Sequence, residues 1–148
     1  MKTTGKTRKY IYAITLFFIT LSGFGQMPIF KRYYIADIPG LGWLAQFYVT
    51  HFIHYTAAII LIALVVYVLL DYMFNRSGIN RITGSGYLKI AILAGLITSG
   101  SLMVYKNLPG VYFGHTAIIF LDLAHLGLCM MLLSVSFYTL ILKKRWVN

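Results

Sequence analysis

QFYVTHFIHYTAAIILIALVVYVLLDY, residues 46–72, decides the fold. It is apolar for longer than the roughly 20 residues that a helix needs to cross a bilayer. Three further segments read the same way. The four spans run roughly Tyr10–Met27, Gln46–Tyr72, Tyr87–Tyr105 and Thr116–Leu142. The whole chain of 148 residues is 59% hydrophobic with a mean hydropathy of +0.78, where a soluble domain is about half apolar. No room is left for a separate soluble domain. The expectation is an all-α integral membrane four-helix bundle, one transmembrane domain over residues 1–148.

The formal charge of +10 does not point to nucleic acid, because the basic residues lie between the apolar runs and not on a soluble face. Lys2, Lys6, Arg8 and Lys9 precede the first span, Arg76, Arg81 and Lys89 surround the second connection, and Lys143, Lys144 and Arg145 follow the last. Only Lys31, Arg32 and Lys106 lie on the other side. By the positive-inside rule both termini are cytoplasmic, in a multi-pass protein of the inner (cytoplasmic) membrane. The first span has the basic start, apolar run and small residues (Ser22, Gly23) of a secretory signal, but no alanine-like cleavage site follows. It reads as a retained helix.

A single cysteine, Cys129, excludes an internal disulfide, a cysteine zinc site and an iron–sulfur cluster. It reads as a small buried hydrophobe. The connection Pro28–Ala45 is too apolar for a plain linker, and its Tyr33, Tyr34 and Trp43 suit the membrane interface. It reads as a re-entrant or docking segment. In the third span Gly95, Ser99, Gly100 and Ser101 admit the close approach of another helix or of a flat ligand.

The four histidines, His51, His54, His115 and His125, all sit at or in apolar segments. An imidazole inside a bilayer is costly and usually binds a cofactor or moves a proton. At 1.5 Å per residue from the inner ends, His54 lies ~25 Å up its helix and His125 ~27 Å up its own. His51 lies ~30 Å up and His115 ~42 Å up, at the outer surface. Two imidazoles at matched depth are what one b-type haem needs as axial ligands. The competing reading, hydrogen bonds to neighbouring backbone between helices, explains one such histidine more easily than a matched pair. His51, only ~4.5 Å from His54 in depth, is an alternative ligand or a neighbour of a haem propionate. His115 reads as an exposed or capping residue, with haem contact as the sharper alternative.

Asp122, one turn before His125, is the only acid in the interior of a span, since Asp71 marks the inner end of the second. A carboxylate there is protonated, paired or in contact with water. It reads first as a hydrogen-bond partner orienting His51 or His115, and second as a proton acceptor beside a quinone. Tyr55 and Lys106 join it as candidates for a quinone site or proton path.

Several short motifs in order resemble the four-helix cytochrome b subunits that anchor formate dehydrogenases and nickel–iron hydrogenases. ITLFFITLSGF resembles the end of their first helix. THFIHYTAAI resembles their second, where a ligand histidine (here His54) is followed one turn on by a small residue (here Ala58). GLITSGSLM repeats the small-residue signature, and LDLAHLGL resembles the start of the fourth helix, with His125 as partner ligand. Such subunits hold a second haem near the cytoplasmic side, ligated from the start of the first helix and from about four turns further along the fourth. This chain has no histidine before His51 or after His125. The resemblance therefore implies a single-haem form.

No nucleophile, redox cysteine or nucleotide loop is present, so the expected role is an electron-transfer subunit. It would relay electrons between membrane quinone and an iron–sulfur or cytochrome subunit docked on the outer side, through one haem b. The alternative is a haem-free structural membrane anchor of a larger complex. A small transporter is disfavoured by the absence of inverted repeats.

Overall fold

The computed structural model describes residues 3–27, 37–74 and 82–142. It is all-helical, with α1 Thr3–Gly25, α2 Phe47–Phe74, α3 Gly84–Tyr105 and α4 His115–Ile141. Three of them, α2, α3 and α4, are long and apolar enough to cross a membrane. At 1.5 Å per residue these span roughly 42, 33 and 40 Å, against a hydrocarbon core of about 30 Å. α1 has 23 residues, but it begins well before the expected Tyr10. Its first turns therefore contain Lys6, Arg8 and Lys9, and the apolar stretch starts only at Tyr10.

Contacts divide the chain into two compact units, Met1–Asn75 and Arg76–Asn148. Each is a helical hairpin. In the first, α1 packs against α2 along Thr15 and Ser22 on one helix and Thr50, Ala57 and Leu61 on the other, all buried. Gly25 lets a 3-10 turn at Gly42–Ala45 close over this interface: a Cβ there would lie 2.9 Å from Leu44 Cδ2 and 3.3 Å from Thr50 Cγ2. Toward the chain's N-terminal end of the hairpin, Arg8 donates to Asp71 at 2.8 Å. The Arg8 guanidinium also lies 5.9 Å from the Tyr67 ring centre.

In the second unit α3 packs against α4 with Gly86, Ile92 and Ser99 facing Leu132 and Thr139. Gly95 gives room to Leu128, whose Cδ1 lies 3.0 Å from where a Cβ would stand. Here the small residues of α3 serve helix packing. Thr83 caps α3 by accepting from the Gly86 amide at 3.2 Å, a cap that contributes about 1 kcal/mol. Lys89 Nζ donates across the hairpin to Thr139 Oγ1 at 2.7 Å.

Both hairpin connections contain the same turn. Leu41 N bonds Ile38 O at 2.9 Å around Pro39-Gly40, and Val111 N bonds Leu108 O at 3.2 Å around Pro109-Gly110. Gly40 has φ +87 and Gly110 φ +80, the left-handed value that a type II turn demands of its third residue. Proline presets the second.

The packing is inverted relative to a soluble protein. Hydroxyls (Thr15, Ser22, Thr50, Ser99, Thr139) are buried, and Phe17, Ile59, Phe120 and Leu140 are exposed. Ser22, Thr50, Ser99 and Thr139 return their protons to backbone carbonyls three or four residues earlier, so their burial between helices leaves them satisfied. An apolar exterior over a polar seam suits contact with lipid. Of the expected interfacial residues, Tyr33 and Tyr34 lie outside the described residues, as do Lys31, Arg32, Arg76, Arg81 and Lys143–Arg145.

Candidate functional site

His54 projects from α2 onto α1. Its Nδ1 lies 3.0 Å from Ile19 O and 3.2 Å from Ser22 Oγ. A carbonyl oxygen only accepts, so Nδ1 must carry the proton. Ser22 agrees with this assignment, because its one hydroxyl proton goes to Phe18 O at 2.6 Å and its oxygen is left to accept. In the neutral ring the lone pair is then on Nε2. The helix can approach so closely because residue 23 is glycine: a Cβ there would stand 3.1 Å from His54 Cε1.

His125 is held in the same way by the second hairpin. Its Nδ1 lies 2.8 Å from Ser99 Oγ. Ser99 is buried and its hydroxyl also lies 3.2 Å from Leu96 O, so the short contact is made by Nδ1–H donating to the hydroxyl or by the hydroxyl donating to Nδ1, according to the tautomer. Gly100 lies under the ring edge, with 3.5 Å between a notional Cβ and His125 Cε1. Each such bond contributes on the order of 1 kcal/mol. More important is its direction, which holds the ring plane.

The other two histidines are placed differently. His51 turns back on its own helix: Nδ1 bonds Phe47 O at 3.0 Å and the ring lies 3.9 Å from the Phe47 ring centre. Tyr55 meets His51 edge to face at 5.8 Å. His115 is the first residue of α4 and is exposed. Asp122 pairs with Lys106 at 3.1 Å. Lys106 was expected as a quinone candidate in its own right, and the ion pair ties it to the acid instead of leaving the two as separate groups. Cys129 is half-buried and is a free thiol.

Sequence reasoning missed Ser22 and Ser99 as partners of the histidines. The signal was present in the Ser-Gly pair that both α1 and α3 carry, but only packing shows that each pair faces an imidazole. An imidazole whose Nδ1–H is engaged offers Nε2 to a metal. His54 answers that description within its hairpin, and His125 answers it in the tautomer whose Nδ1–H faces Ser99, so each ring by itself is of the kind that can serve as an axial ligand of haem iron. Among the described residues no three His, Cys, Asp or Glu side chains gather to hold a bare metal ion, whereas bis-imidazole haem ligation asks for two.

Compared with protein-family models, with curated proteins and with solved structures, the chain matches none.

Proposed function

We propose that this chain is a membrane-anchoring b-type cytochrome subunit, similar to those of formate dehydrogenases and nickel–iron hydrogenases but in a single-haem form. His54 and His125 are its axial ligands, one from each hairpin. The observation that carries the reading is that both rings are held through Nδ1 by a neighbouring helix, with glycine beside them. When bound, haem b supplies one-electron iron chemistry at a potential set by ligation and burial. The chain's part is to hold two imidazoles in fixed planes and to keep water from them. His51, bonded to its own helix, is a neighbour in this reading and not a ligand.

The proposal includes four membrane spans, with α1 as the fourth, both termini cytoplasmic and the chain in the inner membrane. An iron–sulfur or cytochrome subunit docks on the outer side, against Pro28–Ala45 and the Lys106–His115 connection. Electrons pass between that subunit and membrane quinone. The Lys106–Asp122 pair and the His51–Tyr55 pair are the candidates to shape the quinone site, since both carry polar atoms that can hydrogen-bond a carbonyl oxygen or exchange its proton.

A haem-free structural anchor is the second reading, favoured by one fact: both histidines already hydrogen-bond within their own hairpins. A reduced-minus-oxidised spectrum of the purified protein, with the haem-to-protein ratio from pyridine haemochromogen, separates the two. A b-type signal near one haem per chain is expected. No haem after supplementation would leave the anchor.

A further inference from the structure

The two hairpins share an order of features beyond their histidines. Each has, in the second half of its first helix, a buried serine followed by glycine, Ser22-Gly23 and Ser99-Gly100. Each serine reaches the carbonyl three residues earlier at the same 3.2 Å, Ile19 in one and Leu96 in the other. Each then turns through a Pro-Gly type II turn, Ile38–Leu41 and Leu108–Val111. Each second helix carries its histidine at nearly the same distance beyond that turn, with a buried leucine seven residues on, Leu61 and Leu132. The order serine, glycine, Pro-Gly turn, histidine, leucine is the same in both.

We infer that the chain is a doubled helix-hairpin module in which Ser22 and Ser99 occupy equivalent positions, with Ser99 the positioning residue that fixes the ring plane of His125 and keeps the proton on its Nδ1, a task that the Ile19 carbonyl performs beside Ser22 at His54. The purpose of such an arrangement rests on the bis-imidazole reading, because a ligand ring must present Nε2 and must not rotate. Its test does not rest on that reading. The two copies differ in one respect. His54 has the Ile19 carbonyl as well as a serine, whereas Ser99 is the hydrogen-bond partner of His125 among the described residues. A backbone carbonyl survives any side-chain substitution. The serine is therefore redundant in the first module and decisive in the second.

The test is nitrogen-15 NMR of the histidine rings in the full-length, haem-free protein in lipid bilayers, with signals assigned by single His→Gln variants. Both His54 and His125 should show the Nδ1–H form. Ser99→Ala should turn the His125 signal into a mixture of tautomers and leave His54 unchanged. Ser22→Ala should leave His54 as Nδ1–H, and Ser99→Thr should restore His125. Ser101→Ala, an exposed change in the next position but one, serves as the folding control and should move neither. An Nε2–H form at either ring in the unmodified protein, or a His125 signal indifferent to Ser99→Ala, overturns the inference. Because haem is absent throughout, this failure is distinct from failure to bind haem, which bears on the proposed function alone.

Discussion

In the hairpin of α1 and α2 the histidine ring is held by a backbone carbonyl and a serine together, whereas in the hairpin of α3 and α4 a serine holds it among the described residues. The spacing around the glycines differs in the opposite sense. Gly23 is pressed against His54, and Gly100 has ordinary van der Waals room beside His125. Ion pairs are also placed at opposite ends. Arg8–Asp71 ties the end of the first hairpin away from its turn, and Lys106–Asp122 ties the second beside its turn. The comparison teaches that one module secures its imidazole by close packing and main chain, the other by a single side chain. A doubled module need not use the same atoms twice to hold a ring by the same nitrogen.

The largest expected effect tests whether the two modules are equal partners. His54→Ala and His125→Ala should each abolish the b-type spectrum, while His115→Ala, at an exposed helix start, should retain it. A normal spectrum in either of the first two would sink the assignment. Next, Gly23→Ala should displace the His54 ring by a few tenths of an ångström. That would cost about 1 kcal/mol, the low end for overpacking, or roughly five-fold in haem affinity. Gly100→Ala should leave affinity unchanged. Haem titration is the right readout here, since Ala for Gly in a helix itself stabilises by up to ~1 kcal/mol and would confuse a melting curve. Equal losses at the two glycines would mean that the modules are held alike.

The smallest effects concern the ion pairs. Arg8→Ala removes both a charge partner of Asp71 and a contact with Tyr67, and should lower the stability of the purified protein in detergent by about 1 kcal/mol. Lys106→Ala loses an ion pair in which half of the Asp122 side chain is exposed, and the expected loss is about 0.5 kcal/mol or less. Thermal melting followed by circular dichroism measures both. A larger loss at Lys106 than at Arg8 would reverse the ranking.

Much of this architecture was legible in the sequence. The helices fall where the apolar runs are, and His54 and His125 stand out because imidazoles are rare among Leu, Ile and Val. Helix starts were less legible. α1 extends back through Lys6, Arg8 and Lys9, because lysine and arginine are good helix formers and nothing in composition marks where a membrane-crossing stretch begins within a longer helix. The Ser-Gly pairs were visible as small residues, Ser22-Gly23 at the end of a signal-like run and Ser99-Gly100 among residues that admit close approach. Their role as hydrogen-bond partners was not, since it depends on residues more than 25 positions away in the chain. The Pro-Gly turns were equally visible, and their recurrence marks the repeat only once both are seen to make the same turn.

The sequence by itself determined an all-helical chain with spans of membrane length and few, conspicuous polar groups, because hydropathy and the length of an apolar run are properties of consecutive residues. Only the tertiary structure decided that a carbonyl of the neighbouring helix faces Nδ1 of His54, that His51 turns to its own helix while His54 turns to its neighbour, and that Asp122 belongs to Lys106. Those outcomes depend on directional hydrogen bonds between helices. Their geometry is set by how glycine lets two backbones approach, and spacing along one chain does not contain it.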